Sequence, residues 1–442
     1  MGIKTFPGGI HPHDYKEFSK DAKIEEMIIP QKVVIHLSQH IGAPAKPIVK
    51  VGDLVLAGQK IAEPGGFVSI PMHSSISGKV TKIDKYPHPN GSEQMGIEIT
   101  SDGKDEWVEL VDEKDYMNLS NDEIKKRIQE AGVCGMGGAG FPTHVKLSPP
   151  KENPIDTVIL NGVECEPFLT ADYRLMLEEA DKIINGLQII MKVVNAKNGY
   201  IGIELNKPDA IKLMKDKVKS LPNIEVVSLK MKYPQGAEKQ LIYATTKRKV
   251  PNKGGLPMHV GVVVQNVASA ASIYEAVRFK KPLIERIISV TGSIVKNPKN
   301  LKSRIGTMYS DLLDSCDGVT EDIGKAISGG PMMGFAISTL DTPMTKGSSG
   351  LLLFDKKMAR VDEEHTCLRC GRCVDVCPLN LVPSFIANGV KYNDWDLAEK
   401  AGVMDCMKCG SCVYVCPAHI KLVQWIDIGK NVVGAKIRAR KK

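Results

Sequence analysis

The sequence predicts a multidomain α/β protein with a mainly parallel sheet at its centre and a helical, cysteine-rich domain towards its C-terminal end. Three observations predict it. The chain is 442 residues long, and chains of that length divide into several cores. Residues 157–277 alternate strand-like and helix-like patterns, the order that builds a parallel sheet. Eight of the eleven cysteines fall between Cys367 and Cys416, in a segment that repeats itself.

Composition narrows the function classes. The formal charge of +8 is modest for this length. It serves solubility, or docking on an acidic partner or an anionic membrane face. Lys430, Lys436, Arg438, Arg440, Lys441 and Lys442 give the end of the chain a basic arm. No aromatics interleave with these charges, so nucleic acid is not expected as a partner. The first residues lack the apolar core of a secretory signal. No apolar run reaches the ~18–20 residues that span a bilayer. The expectation is a protein that is soluble, or peripheral to a membrane through partners, with no transmembrane segment of its own.

Taken in order, residues 1–30 form an arm containing Gly8-Gly9-Ile10-His11-Pro12. His11 and His13 read as surface residues of a structured N-terminus. Residues 44–83 carry short apolar runs punctuated by glycine, such as Val51-Gly52-Asp53 and Ser77-Gly78-Lys79-Val80. That is a strand-and-turn pattern, and it resembles a lipoyl- or biotin-type barrel sandwich. The acceptor lysine motif of such modules is missing, so no covalent cofactor is expected there.

Ser120 and Glu123 form a capping box ahead of Ile124 and Ile128, which predicts a helix. It leads into Cys134-Gly135-Met136-Gly137-Gly138-Ala139-Gly140-Phe141-Pro142-Thr143. Gly135, Gly137 and Gly140 satisfy the dinucleotide-loop spacing, but a helix, not a strand, precedes them. The glycines still let backbone approach a phosphate or a planar ring. Residues 157–160 read as a buried strand ending at Asn161-Gly162-Val163-Glu164-Cys165-Glu166, and ligands of open α/β sheets gather at such strand ends. Residues 172–194 predict one long amphipathic helix with Ile183, Leu187, Ile190 and Val194 on one face. Strands follow at 200–205, 224–229 and 260–264, with helices at 208–221 and after Gly236-Ala237-Glu238. Residues 286–355 hold a further strand at 287–292 and an Asn297-Pro298 turn. Cys134, Cys165 and Cys316 have no metal spacing and read as small buried residues.

The cysteine repeat is the most specific signal. Cys367, Cys370, Cys373 and Cys377-Pro378 recur, 39 residues on, as Cys406, Cys409, Cys412 and Cys416-Pro417. Each copy is C-x2-C-x2-C-x3-C-P, the spacing of two-cluster bacterial ferredoxins, in which the fourth cysteine serves the other cluster. The expected ligand sets are therefore Cys367, Cys370, Cys373 with Cys416, and Cys406, Cys409, Cys412 with Cys377. Structural zinc, usually held by two separated pairs, does not explain the duplicated Cys-Pro ending. A helix at 395–401 between the copies favours a helical ferredoxin domain.

These motifs together carry a resemblance. The loop at 135–143, Asn161-x-x-Glu164-x-Glu166-Pro167, Gly236-Ala237-Glu238 and Gln265-Asn266-Val267 resemble, in order, the flavin motifs of the NADH-oxidising flavoprotein subunit of respiratory complex I. Met136, Val163 and Ala237 depart from that family, and Leu147 and Pro149 stand where an aromatic is expected. Over the whole chain, Gly8–Pro12, Tyr233-Pro234-Gln235-Gly236, Gly329-Gly330-Pro331-Met332-Met333-Gly334 and the double cysteine motif are similar to the C-subunit family of the Rnf complex, the membrane-bound ion-translocating ferredoxin–NAD oxidoreductase.

The resemblance implies a barrel-sandwich hybrid at 31–112, a Rossmann-like FMN/NADH domain at 113–285, a β-grasp module of the soluble-ligand-binding type at 286–355, a helical ferredoxin domain with two [4Fe–4S] clusters at 356–425, and a basic tail at 426–442. It implies an NAD-dependent oxidoreductase subunit that moves electrons between NAD(H), FMN and the clusters. Gly135, Gly137, Gly138, Ala139, Gly140 and Lys146 would surround the flavin phosphate and ring. Asn161, Glu164, Gly236, Glu238, Gln265 and Asn266 would hold the ribityl chain and ring edge. Phe141 and Glu166 would contact the nicotinamide nucleotide. The implied partners are the other Rnf subunits, membrane-embedded ones and a ferredoxin-like one among them, at the cytoplasmic face of the membrane. Two alternatives resemble the chain as well: a cobalamin reductase of bacterial microcompartments, and an iron–sulfur relay without NADH chemistry.

Overall fold

A computed structural model describes residues 3–440; the last two lysines of the basic arm, Lys441 and Lys442, lie outside the described residues. The centre is a four-stranded, wholly parallel sheet in the order Ile224–Leu229, Asn198–Glu204, Thr157–Asn161, Val262–Asn266. Its strands are rich in Val and Ile, as strands buried on both faces must be. Helices Ala180–Val194, Pro208–Val218 and Val267–Phe279 pack with one face, and Glu238–Thr246 covers the other.

The long helix expected over 172–194 is two helices. Ala171–Glu178 ends at Glu179, whose non-helical backbone (φ −129°, ψ 30°) breaks the run before Ala180–Val194 begins. Both halves carry apolar residues on a face, so periodicity alone could not locate the break. Helix Ala180–Val194 crosses Val267–Phe279 closely at Gly186, where a Cβ would sit 1.9 Å from the Ala270 carbonyl oxygen. The capping box at Ser120 is half formed. Ser120 Oγ accepts from Glu123 N at 3.2 Å, but the Glu123 carboxylate turns to Arg127 Nε, 3.1 Å away.

The N-terminal region folds as two small antiparallel sheets. One has the order Lys32–His36, Glu93–Ser101, Gly78–Pro87, Leu54–Val55; the other has Lys46–Pro47, Lys60–Glu63, Met72–His73. Val33, Ile35, Ile61, Met72, Val80, Ile97 and Ile99 meet between them. The residues before them are not a free arm. Ile24–Glu26 adds a parallel edge strand to Lys299–Arg304 in the next module, and Lys4 bridges to Leu229 at the edge of the central sheet.

That next module is a six-stranded sheet containing Glu285–Thr291, Lys299–Arg304, Lys325–Ser328 and Gly350–Phe354, with the short helix Tyr309–Asp314 packed on it. The cysteine-rich domain is helical: Pro383–Lys391, Trp395–Lys400 and Leu422–Arg440 enclose Ile386, Val390, Ala398, Val403, Ile426 and Val433. The boundary expected at 425/426 falls inside the last helix. Residues 426–440 are helix packed on the domain, not a tail: Ile426, Gly429 and Val433 are buried, and Arg440 pairs with Glu399 at 2.9 Å. Among the described residues no helix is long and apolar enough to cross a membrane.

A candidate flavin site beside a candidate two-cluster centre

The four candidate flavin motifs, far apart in sequence, meet at the C-terminal end of the parallel sheet. Asn161 and Asn266 end adjacent strands in register. Asn161 Nδ2 donates to the Gly236 carbonyl at 2.8 Å, and a Cβ on Gly236 would press on Asn161 and Cys165 at 3.3–3.4 Å. Asn266 Oδ1 caps helix Val267–Phe279 through Ala268 N at 2.8 Å, and its Nδ2 donates to Asp172 Oδ2 at 2.6 Å. Gly137 sits against that amide with φ 75°, where a Cβ would be 2.8 Å from Asn266 Nδ2. The position demands glycine on both counts. Lys146 Nζ donates to the Val264 carbonyl at 3.1 Å and pairs with Glu238 Oε1 at 3.2 Å. Gly137, Gly138 and Ala139 are exposed, Gly135 and Phe141 are part-buried, and a Cβ on Gly138 would meet nothing within 4 Å.

The two glutamates after Asn161 part company. Glu164, in the left-handed region at φ 47°, accepts from Asp172 N at 2.7 Å and Tyr173 N at 3.2 Å, at the N-terminal end of helix Ala171–Glu178. Burial pushes both the Glu164 and the Asp172 carboxyls above their ordinary range. Glu166 turns the other way. Its Oε2 accepts from Met332 N at 3.0 Å, in the Gly329–Gly334 loop of the adjoining module, and burial raises its carboxyl to about 7. One of its carboxylate oxygens is thus engaged at the seam between modules. Nothing near Glu166 in the chain signals this, because the loop that receives it lies more than 160 residues on.

Sequence reasoning also missed what supports the glycine loop from behind. Lys346 is buried, and its Nζ donates to the Gly132 carbonyl at 2.7 Å, just ahead of the loop. Its backbone N–H donates to Gln39 Oε1 at 2.9 Å. From the same N-terminal module, Ile41 N donates to the Gly140 carbonyl at 3.2 Å. Burial lowers the Lys346 ammonium to about 8.

For a flavin, the residues present fit. The loop exposes Gly137, Gly138 and Ala139, and the Lys146 ammonium is paired with the Glu238 carboxylate. At the same strand end the Gln265 amide is buried with neither polar atom partnered, and such a group is costly unless something else completes its hydrogen bonds.

The cysteines form two unlike groups. Cys377, Cys406, Cys409 and Cys412 line one pocket together with apolar side chains such as Leu381, Ile386 and Ile426. These four are the set expected from ligation across the two copies. Cys367 and Cys370 lie on an exposed stretch without regular structure, and Cys373 and Cys416 are part-buried. Zinc with Zn–S near 2.3 Å brings its sulfurs to about 3.8 Å of one another. Among the described residues no three of these thiols gather within 4.8 Å. The group that does gather, His13, Asp14 and Glu17, contains no cysteine and is largely exposed.

The buried cysteine group abuts the flavin-side motifs. Tyr233 and Cys409 pack with Ile10, Cys165, Met332 and Val376. Gln240 Nε2 donates to the Pro378 carbonyl at 3.0 Å, and Gly9 N to the Val376 carbonyl at 2.8 Å.

Fold and site define an iron–sulfur flavoprotein, with a nucleotide-type parallel sheet and a ferredoxin domain on one chain. Family models match four consecutive segments: an RnfC barrel sandwich hybrid domain at 4–104, a Nuo51 FMN-binding domain at 128–275, an SLBB domain at 287–336 and a 4Fe-4S dicluster domain at 359–417. The C subunit of the proton-translocating ferredoxin:NAD(+) oxidoreductase complex of Clostridium ljungdahlii is 50% identical over 96% of this chain and 93% of its own length. The Na(+)-translocating counterpart of Acetobacterium woodii is 46% identical over 99% of both chains. The C subunit of the ion-translocating oxidoreductase complex of Rhodobacter capsulatus is 40% identical over 96% of this chain and 82% of its own. The chain belongs to the RnfC family, the C subunits of Rnf complexes. In fold it is also similar to a chain of an air-oxidized NAD+-reducing [NiFe]-hydrogenase, with a TM-score of 0.50 at 16% identity over 72% of this chain and 62% of the other.

Proposed function

We propose that the chain is the peripheral NAD(H)- and FMN-binding electron-transfer subunit of an Rnf ferredoxin:NAD+ oxidoreductase. The observation that carries this is the seam itself: the candidate flavin residues and the buried cysteine pocket belong to elements in direct contact, through Tyr233 and Cys409. FMN, when bound, exchanges electron pairs with the nicotinamide nucleotide and single electrons with the clusters.

The chain's own residues have separable roles. Gly135, Gly137, Gly138, Ala139 and Gly140 give backbone access to the flavin phosphate and ring. Lys146 supplies a positive charge, held in place by Glu238 and the Val264 carbonyl. Asn161, Gly236, Glu238, Gln265 and Asn266 hold the ribityl chain and ring edge. Glu164 sets the turn behind them. Phe141 is the residue offered to the nicotinamide, whereas Glu166 acts through the Gly329–Gly334 loop that it holds. Cys377, Cys406, Cys409 and Cys412 ligate the inner cluster, and Cys367, Cys370, Cys373 and Cys416 the outer one.

Partners are the membrane-embedded and ferredoxin-like subunits of the complex, at the cytoplasmic face of the membrane. The likeness to full-length Rnf subunits favours this over the cobalamin-reductase and relay alternatives. Affinity capture of the chain from native membranes tests the assignment. Recovery of integral membrane subunits is expected; recovery of microcompartment shell proteins instead would move the chain to the cobalamin reductases.

A further inference from the structure

The two halves of the ferredoxin domain repeat beyond their cysteines. With the same 39-residue offset, helix Pro383–Lys391 corresponds to the first turns of Leu422–Arg440, and Lys391 corresponds to Lys430. The two copies pack on each other at equivalent positions: a Cβ on Gly429 would sit 2.4 Å from Val390 Cγ2. Against that internal symmetry the two lysines behave differently. Lys430 Nζ donates to the Cys406 carbonyl at 2.6 Å and to the Met404 carbonyl at 2.9 Å. It makes no ion pair among the described residues, while its neighbour Lys408 is neutralised by Asp427 at 2.6 Å. Lys391 makes no such bond to Cys367, the cysteine equivalent to Cys406. Its ammonium lies 3.9 Å from the Glu364 carboxylate.

One cysteine group therefore has an ammonium fixed on the backbone of its own ligand with no carboxylate at ion-pair distance, Asp405 and Asp427 acting on it only from further off, and the other has a lysine paired with a carboxylate. Reducing a thiolate-bound iron–sulfur cluster adds negative charge, so a fixed cation beside it favours the reduced form. Net charge and hydrogen bonding around the sulfurs are the protein's means of setting such potentials.

We infer that Lys430 tunes the inner cluster, raising its potential relative to what its own ligands would set, and that Lys391 has no such effect on the outer one. This rests on the proposed ligation of the inner cluster by Cys377, Cys406, Cys409 and Cys412. Lys430 is a positioning and electrostatic residue; it ligates nothing.

The test is a potentiometric titration of the anaerobic, cluster-loaded full-length chain, followed by electron paramagnetic resonance. The variants are Lys430→Gln, Lys430→Arg and Lys391→Gln. Glutamine keeps a donor for the carbonyls and removes the charge; arginine keeps the charge. Lys430→Gln should move one of the two one-electron steps to lower potential by about tenfold in the reduced-to-oxidised ratio, about 59 mV for one electron. Lys430→Arg and Lys391→Gln should leave both steps in place. About eight iron per chain with two steps upholds two four-iron clusters whatever the variants do. With that iron content, unmoved steps in Lys430→Gln, or an equal shift in Lys391→Gln, would overturn the role of Lys430 alone. Should Lys430→Gln lose iron, the arginine variant decides: a wild-type titration there supports the charge, and a displaced step opposes it.

Discussion

The Tyr233 hydroxyl donates to the Cys409 carbonyl at 2.8 Å, tying the flavin-side domain to the backbone of a cluster-pocket cysteine. Both residues are buried. Tyr233→Phe keeps the ring and leaves a buried carbonyl without its donor, a loss worth roughly 1–3 kcal/mol. The variant should retain flavin and iron while the seam loosens. Stopped-flow absorbance should then show flavin reduced by NADH at the wild-type rate and the clusters reduced several-fold more slowly. An unchanged cluster phase would mean that this bond does not matter to transfer.

Lys346 makes the glycine loop a property of three modules. Lys346→Met removes the donor to the Gly132 carbonyl and loosens the anchor behind Gly135–Gly140. The expected result is FMN affinity weakened about tenfold, roughly 1.4 kcal/mol, with iron content unchanged. Fluorescence titration of the flavin-stripped protein measures it. Unaltered affinity would make Lys346 a fold residue only.

Glu166 gives the seam a pH dependence of known sign. Its carboxyl is raised from the ordinary range to about 7 by burial. The neutral form is favoured in the folded state, so its contribution is full below about pH 4.5 and is lost as pH rises through about 7. The loss is at most about 3 kcal/mol, and less where the Met332 N–H supports the anion. Glu166→Gln lacks this titration. Its melting temperature should gain on the wild type's between pH 5 and pH 8, and parallel curves would contradict the burial of this carboxyl.

Gly186 tests the packing of the central domain. Alanine there would place a methyl 1.9 Å from the Ala270 carbonyl oxygen. The two helices must separate, at a cost of about 1–3 kcal/mol or more. Chemical denaturation should show it, and a Gly186→Ala variant as stable as wild type would mean that the crossing is wider.

Much of this was legible in the sequence for physical reasons. The cysteine spacing is dictated by the cluster it serves, so it could be read without any fold. Strand Ile224–Leu229 was legible to the residue, because β-branched pairs bounded by Asn223 and Lys230 leave little choice. The flavin motifs were legible as motifs, but not their meeting: only the Asn161–Asn266 register brings them together. Inter-module contacts were hidden. Glu166 to Met332 and Lys346 to Gly132 join residues more than 160 positions apart, and nothing local to either end marks them. The end of the chain misled for the opposite reason. Its charges suggest a free arm, while Ile426, Gly429 and Val433, spaced on one helical face, hold it to the domain.

The proposed function depends on electrons passing from a nicotinamide nucleotide through the flavin to the chain's own clusters. Anaerobic stopped-flow mixing of the flavin- and cluster-loaded chain with NADH observes that passage. Flavin absorbance should bleach first, and the broad cluster absorbance should fall afterwards. If NADH leaves both unchanged while dithionite reduces them, the chain is a relay without nicotinamide chemistry, and the proposed function fails.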